Sequence, residues 1–162
     1  RVVLVHDPHL PEDWGLSHPD GYLRLAVFNV CKDGMTDNER KSVKGVGRDL
    51  LVLALQTLVE EKLIDRLQPL WLEASGGISN ALLEQQYADW PDSKVMMSLQ
   101  EMKFQDMTEA DYDVSPRDLV ELWCIALENQ RLVRYYETLG FKKKVDMTPT
   151  HTTMVARVSE IK

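Results

Sequence analysis

Apolar residues in the first part of the chain form two strand-like runs. Residues 1–6 (RVVLVH) are mostly β-branched and apolar, which predicts a short strand. Residues 22–31 (YLRLAVFNVC) are almost continuously apolar, which predicts a central strand covered on both faces. The Pro-rich and His-rich stretch between the two runs predicts a loop, as does the polar stretch at 32–44.

The spacing of apolar residues then changes to that of a helix. Leu51, Leu55 and Leu58 recur on one side of such a helix, and charged residues gather near its end. The pattern predicts a long, well-buried helix over residues 47–67, and Pro69 cannot continue it.

Three further elements are predicted near the C-terminus. Residues 119–126 (LVELWCIA) and 152–158 (TTMVARV) have the apolar and β-branched composition of strands. Residues 129–139 (NQRLVRYYETL) have helical spacing, and Gly140 follows them as a helix end. The order is β, β, α, a middle segment, then β, α, β, which indicates an α/β fold of the α+β type.

The middle segment, residues 68–118, holds the acidic excess of the protein. It carries ten Asp and Glu residues against three Lys and Arg, and the whole chain has a formal net charge of -7. Within it, residues 71–74 predict a short strand, 80–90 a helix, and 93–104 a second helix or an extended piece. Such a segment is either a solvated acidic face or a surface that attracts cationic molecules.

Composition narrows the class of protein. The chain has 162 residues, 44% of them hydrophobic, which is enough for one domain with its own core. The negative charge opposes binding to nucleic acid, and the longest apolar run, at 50–55, is far shorter than the ~20 residues of a membrane span. Cys31 and Cys124 both lie in apolar runs, which favours packed thiols in an intracellular, cytoplasmic protein, with the nucleus left open.

A basic glycine turn, Lys44-Gly45-Val46-Gly47-Arg48, precedes the predicted long helix. Glycines let an anion approach the unpaired N–H groups at a helix start, and the charged side chains beside them add attraction. The turn therefore predicts a pyrophosphate site, with a plain loop-to-helix junction as the alternative. It lacks the third glycine of the dinucleotide fingerprint and the Lys-Ser/Thr ending of a P-loop.

A second motif, Asn129-x-x-Leu132-x-x-x-Tyr136-x-x-x-Gly140-Phe141, directly follows the strand predicted at 119–126. Steps of three, four and four residues place its first three members along one helical stripe. A polar side chain and a phenol therefore share that stripe. The alternative interpretation is an amphipathic helix whose tyrosine is half-buried core.

The glycine turn and the motif from Asn129 to Phe141 together resemble the GNAT superfamily of acyl-CoA-dependent N-acetyltransferases. The resemblance covers residues 22–47 and 119–158 with the helix between them. It implies a mixed, splayed β-sheet flanked by helices, with acetyl-CoA wedged between two neighbouring strands. The acidic segment 68–118 is then an insertion between the long helix and the next core strand, within a single GNAT-like domain spanning residues 1–162.

The resemblance also implies a role for each matching residue. The turn would hold the pyrophosphate of acetyl-CoA, and Asn129 would hold the pantetheine arm or the helix start. Tyr136 would protonate the leaving thiolate, and a backbone N–H of the central strand would meet the oxyanion. No metal is implied. The cofactor-binding residues predicted in this way are Phe28, Asn29, Val30, Val43, Lys44, Gly45, Val46, Gly47, Arg48 and Asn129.

The implied reaction moves an acetyl group to a primary amine by direct attack, and the acidic segment favours a cationic acceptor, either a small amine or a basic peptide. Glu73, Glu121 and Glu128 are candidates for the base that takes the proton of the amine. The rival hypothesis is a non-catalytic, GNAT-shaped interaction module that uses the acidic segment for protein contacts. An oligomer is compatible with both hypotheses.

Two departures from the family pattern affect the prediction. Ser42 stands where the family commonly has Gln or Arg, which weakens or rearranges the expected pyrophosphate contact. The family also has more elements before the cofactor strand than the 21 residues that precede Tyr22. We therefore expect part of the acceptor wall to be missing or to lie upstream of Arg1.

A second alignment of the motif is possible. It takes residues 70–75 (LWLEAS) as the strand after the long helix and fills the motif with Asn80 and Tyr87. Pro91 and Asp92 then stand where the motif has Gly and Phe, so we favour the later site.

Overall fold

A computed structural model of the chain has a mixed α/β fold. The structure describes residues 1–7, 16, 18–28, 34–75, 81–104, 116–148 and 151–162. The strands in these ranges are β1 (Val2–Asp7), β2 (Tyr22–Phe28), β3 (Pro69–Ser75), β4 (Lys142–Thr148) and β5 (His151–Arg157). The helices are α1 (Asp37–Ser42), α2 (Val46–Glu60), α3 (Ala81–Tyr87), α4 (Asp92–Glu101) and α5 (Pro116–Thr138), with a short 3-10 helix at Val158–Glu160.

The strands form one mixed sheet in the order β1-β2-β3-β5-β4. β1 and β2 are antiparallel, whereas β2 and β3 are parallel. The ladder described between β2 and β3 joins Leu23 to Leu70 and Arg24 to Trp71. The prediction of a mixed sheet flanked by helices is therefore confirmed.

Several predicted elements agree with the structure. β3 covers the strand predicted at 71–74, and β1 and β5 agree within one residue at each end with the strands predicted at 1–6 and 152–158. α3 lies within the helix predicted at 80–90, and α4 shows that the helical alternative for 93–104 is correct.

β2 is buried on one face at the positions that the structure describes. Leu23 and Leu25 are buried, whereas Arg24 and Ala26 between them are exposed. The Arg24 guanidinium lies over the ring of Trp71, 5.8 Å from its centroid. Because successive side chains of a strand point to opposite faces, the prediction of a strand covered on both faces is wrong here.

The helix predicted over 47–67 is shorter and less buried than expected. It is α2, which ends at Glu60, and Lys62 then adopts a left-handed backbone (φ +60°) that turns the chain away from helix. Leu51 and Leu55 are its buried residues, whereas 60% of Leu53 is exposed. The prediction of a long, well-buried helix is therefore wrong in its length and in its burial.

The segment predicted as a strand at 119–126 is helical and belongs to α5. Its buried residues Leu119, Trp123 and Ala126 recur at steps of four and three, which is the spacing of a helix. The strand prediction relied on apolar composition, which a buried helix shares with a strand. The next strand after α2 is therefore β3, inside segment 68–118, and the prediction that this segment precedes the next core strand is wrong.

Two elements were not predicted. α1 lies in the polar stretch expected to be a loop, and the Thr36 side chain caps its first turn. β4 begins with three exposed lysines, Lys142 to Lys144, and lies at one edge of the sheet. Edge strands often carry lysine, which hides their strand character from a search for apolar residues.

The chain divides into two compact units that interleave along the sequence. The core of unit 1 includes Leu51 and Leu55. The core of unit 2 is a cluster around Leu99, Leu119 and Trp123. Unit 1 consists of Arg1–Leu72, Leu139–Phe141 and Val155–Lys162, and unit 2 consists of Glu73–Thr138 and Lys142–Met154.

Candidate functional site

The glycine turn joins α1 to α2 in unit 1. The Thr36 Oγ1 accepts a hydrogen bond from the Glu39 N–H, and the Glu39 carboxylate accepts one from the Thr36 N–H, so a capping box fixes the start of α1. Gly45 has a left-handed backbone (φ +85°, ψ −8°) and is the N-cap of α2. Glycine adopts this conformation without the steric penalty of a Cβ, so the sequence itself places the start of α2 here.

The backbone amides of the turn fall into two groups. The N–H groups of Val43, Lys44 and Val46 donate to earlier carbonyls in the same turn, at 3.2 to 3.3 Å. These three amides are used internally. The amides for which the described residues offer no acceptor are those of Gly45, Gly47 and Arg48.

The side chains around the turn are exposed and basic. Lys41, Lys44 and Arg48 are all exposed, and the Arg48 guanidinium lies 3.5 Å from the Asp49 carboxylate, a surface contact of little strength. The Ser42 hydroxyl donates to a backbone carbonyl of α1 at 2.7 Å and adds no charge to the turn. A Cβ built at Gly45 would have no atom of the described residues within 4 Å, so the turn is open to an approaching anion.

Asn129 lies inside α5 of unit 2, because the helix already begins at Pro116. Its Nδ2 donates to the Thr152 Oγ1 of β5 at 3.0 Å, and both residues are 2% exposed. Its Oδ1 is buried and accepts no hydrogen bond from the described residues. The amide therefore joins α5 to β5 and keeps one polar atom unsatisfied.

Tyr136 lies two helical turns after Asn129 and is half-buried. Burial, and to a lesser degree the neighbouring Tyr135, raises the pKa of the Tyr136 phenol above its ordinary value of 10.0. The two rings are tilted by 56° with centroids 5.6 Å apart. A phenol in this environment keeps its proton throughout the physiological pH range.

The end of the motif lies in unit 1. Gly140 has φ +110°, and a Cβ there would collide with the carbonyl oxygen of Glu160. The Lys162 N–H donates to the Leu139 carbonyl at 3.0 Å, and Phe141 is 2% exposed. Only glycine satisfies both the backbone angle and the close approach.

The predicted site residues are distributed over the two units. Phe28 and the six turn residues belong to unit 1, and Asn129 and Tyr136 belong to unit 2. Asn29 and Val30 lie outside the described residues.

The three candidate bases lie in unit 2 and differ in their partners. The Glu128 carboxylate is paired with the Arg131 guanidinium, at 3.0 Å to Nη2 and 3.1 Å to Nε. Glu73 is exposed on β3 and Glu121 is half-buried on α5. Within the described part of the chain, neither Glu73 nor Glu121 takes part in an ion pair.

The second alignment of the motif gives a different environment for its tyrosine. Tyr87 is the last residue of α3, and its ring contacts Trp90 and Trp123 edge-on, with centroids 4.7 and 6.0 Å apart. It belongs to an aromatic cluster on α3 to α5. Asn80 lies outside the described residues.

Sequence reasoning missed the charged residues that share a cavity with Asn129. Arg134 and Glu137 of α5 and Lys143 of β4 line this cavity. Arg134 and Glu137 follow Asn129 by five and eight positions, which places them on an adjoining stripe of the same helix. That spacing was the signal available in the sequence.

No protein-family model, no curated protein and no solved structure matches the chain. In the ranges that the structure describes, none of the helices is both long and apolar enough to cross a membrane. The same ranges contain no group of three or more His, Cys, Asp or Glu residues arranged to hold a metal ion. The candidate groups are thus characterised by their own residues: in unit 1 an open, basic glycine turn at a helix start, and in unit 2 a helix that carries a buried amide and a protonated phenol.

Proposed function

We propose that this protein is an N-acetyltransferase that moves an acetyl group from acetyl-CoA to a primary amine, with a cationic small amine or a basic peptide as the acceptor. The observation that carries the proposal is the Tyr136 phenol. It is half-buried on the stripe of α5 that also holds Asn129, and a phenol whose pKa is not below 10 is protonated at physiological pH. A protonated phenol is an acid that a departing thiolate can use.

The glycine turn supports the same proposal. The amides of Gly45, Gly47 and Arg48 and the dipole of α2 favour an anion at this point. The exposed side chains of Lys41 and Lys44 add positive charge to a protein that is acidic as a whole. These residues fit a pyrophosphate, because three backbone N–H groups of the turn are not bonded within it and can donate to the phosphate oxygens.

The arrangement of β2 and β3 is also compatible with acetyl-CoA binding. The resemblance implies a cofactor between two neighbouring strands, and β2 and β3 are parallel neighbours joined through α2. β3 is the strand of the second alignment, which assigns the tyrosine role to Tyr87 instead of Tyr136. The described ladder between β2 and β3 lies near the start of each strand, and β2 ends at Phe28. In the proposal the sheet opens beyond this ladder, and a backbone N–H of the central strand meets the oxyanion.

Bound acetyl-CoA would supply a thioester carbonyl at which a neutral amine forms a C–N bond while the C–S bond breaks. Tyr136 donates the proton of its Oη to the sulfur, and a carboxylate or water accepts a proton from the amine nitrogen. Glu128 is already paired with Arg131, so Glu73 and Glu121 are the better candidates for this base. A thiol has a pKa of about 8.5, which is lower than the raised pKa of Tyr136. Proton transfer from the phenol to the thiolate is therefore unfavourable by about 1.4 kcal/mol per unit of difference between the two pKa values. Loss of the proton from the amine nitrogen must drive this step.

The test is a screen of polyamines, other small amines and basic peptides with acetyl-CoA, with release of free thiol as the measurement. We expect thiol release with at least one cationic acceptor. Tyr136→Phe should lower kcat by about 100-fold and leave the affinity for CoA nearly unchanged. Tyr135→Phe is the matched control, because it removes an adjacent phenol that is 39% exposed and should retain most of the activity. Equal rates for the two variants would remove Tyr136 from the proposed mechanism.

The rival function, a non-catalytic interaction module, is favoured by one observation. Val46, Leu50 and Leu53 lie on one stripe of α2 and are all exposed, and an exposed apolar patch is typical of an interaction surface. Absence of thiol release with every acceptor, together with no effect of CoA on unfolding, would favour the module.

A further inference from the structure

A cavity of about 190 Å³ lies in unit 2 beside Asn129. Asn129, Val133 and Thr152 form its buried part, with Met102 and Phe104 beyond the end of α4 as apolar lining. It is a small site, since a water molecule takes about 30 Å³ in the liquid. Its volume suits a metabolite of a few heavy atoms and is far too small for a whole nucleotide thioester.

Opposite charges line the exposed part of this cavity. Arg134 and Glu137 of α5 and Lys143 of β4 are exposed lining residues. Among the residues that the structure describes, neither Arg134 nor Glu137 takes part in an ion pair. The exposed rim therefore offers a cation and an anion that are both available to a ligand.

The buried part of the cavity contributes an acceptor. The Asn129 Nδ2 is used by Thr152, whereas its Oδ1 lacks a hydrogen bond within the described residues. A buried acceptor without a donor is unfavourable by about 1 to 3 kcal/mol. A ligand that brings an N–H donor into the cavity would remove that penalty.

The geometry points to a binding site for a small zwitterion, a free α-amino acid with a short side chain. The guanidinium of Arg134 matches the planar carboxylate. The α-ammonium group provides N–H donors, which the Glu137 carboxylate at the rim or the Asn129 Oδ1 in the buried part can accept. A molecule that carries both charged groups on one carbon atom presents a carboxylate to Arg134 and N–H donors to the acceptors of the cavity. The inference does not depend on the proposed acetyltransferase activity.

Isothermal titration calorimetry on the full chain without acetyl-CoA tests the site. Glycine, L-alanine and L-serine are the probes, and propionate and ethylamine are controls that each retain only one of the two charges. We expect at least one amino acid to bind at least about tenfold more tightly than either control. Binding of propionate as tight as that of the amino acids, or binding of none of the three amino acids, would overturn the proposal.

Variants of the lining residues test whether the amino acid binds in this cavity. Arg134→Gln and Glu137→Gln should each weaken amino-acid binding by roughly tenfold or more. Arg131→Gln is the matched control, because Arg131 is an exposed arginine of the same helix that pairs with Glu128 and does not line the cavity. Circular dichroism establishes that the variants are folded. Equal losses for Arg131→Gln and Arg134→Gln would show a general charge effect and overturn the proposed site.

Discussion

At the scale of single residues, Tyr136 combines a position set by the motif with an environment set by burial. The spacing from Asn129 places its phenol on the stripe, and burial raises its pKa. The same burial has a consequence that can be measured without any assumption about function: the stability of the protein at alkaline pH.

The stability of the protein should therefore decrease at alkaline pH partly through Tyr136. A phenol whose pKa is higher in the folded than in the unfolded chain contributes its full stability below about pH 10, and this contribution is lost as pH rises through the folded value. Urea unfolding between about pH 8 and pH 11 should show a smaller loss of unfolding free energy for Tyr136→Phe than for the wild type. Tyr135→Phe removes only the lesser cause of the shift and should have a smaller effect; an equal effect would contradict the role of burial.

Gly140 should be intolerant of any side chain. Gly140→Ala puts a Cβ against the Glu160 carbonyl and also strains a backbone with φ +110°, so the free energy of unfolding should fall by about 3 kcal/mol. Gly34→Ala is the control, since Gly34 has φ +75° but no described atom within 4 Å of a built Cβ. It should lose only about 1 kcal/mol in the same denaturant titration. Similar losses of unfolding free energy for Gly140→Ala and Gly34→Ala would mean that the backbone around Glu160 moves and relieves the collision.

At the scale of elements, the single helix α5 links two parts of the sequence that looked distinct. Its first half supplies Leu119, Trp123 and Ala126 to the core of unit 2, and its second half carries the motif. α2 has the complementary role in unit 1, because its start forms the open glycine turn. Each candidate group is thus attached to a helix whose other residues are anchored in a core.

The open approach to the start of α2 leads to a prediction about CoA binding. Asn tolerates the left-handed backbone, so Gly45→Asn should fold normally but place a side chain over the free amides. We expect its affinity for CoA in calorimetry to fall at least about tenfold. Gly34→Asn is the matched control, because it changes a left-handed glycine with equally open surroundings outside the turn. A Gly45→Asn variant with unchanged affinity would place the pyrophosphate elsewhere.

At the scale of the whole molecule, the acidic excess and the basic turn are separated along the sequence. Segment 68–118 carries the net negative charge, whereas Lys41, Lys44 and Arg48 surround the turn. This separation suits a protein that binds an anionic donor and a cationic acceptor, because each finds a region of opposite charge.

CoA should stabilise the whole protein if the proposed function is correct. A ligand that binds only the folded state adds about 2.7 kcal/mol to the free energy of unfolding at about 100 times its Kd. Urea unfolding with and without CoA measures this effect, with free pantetheine as a control that lacks the pyrophosphate. Equal stabilisation by pantetheine would argue against a role for the glycine turn.

An element of the fold could be predicted where its residues have a distinctive sequence pattern. β1 and β5 are apolar runs between polar stretches, and the end of α5 is marked by Gly140. β4 was missed because its lysines are at a sheet edge, where strand pairing does not require apolar side chains. Residues 119–126 were assigned to the wrong element because apolar composition alone does not distinguish a buried helix from a buried strand.

The candidate site, like the fold, could be predicted from the sequence only in part. The sequence by itself determined the left-handed Gly45 before α2, and the stripe shared by Asn129 and Tyr136, because backbone permissiveness and helical period are local properties. Only the tertiary structure decided that Asn129 is bonded to Thr152, and that burial raises the pKa of Tyr136. Burial and hydrogen bonding depend on residues far apart in the chain, and no local pattern encodes which of them will meet.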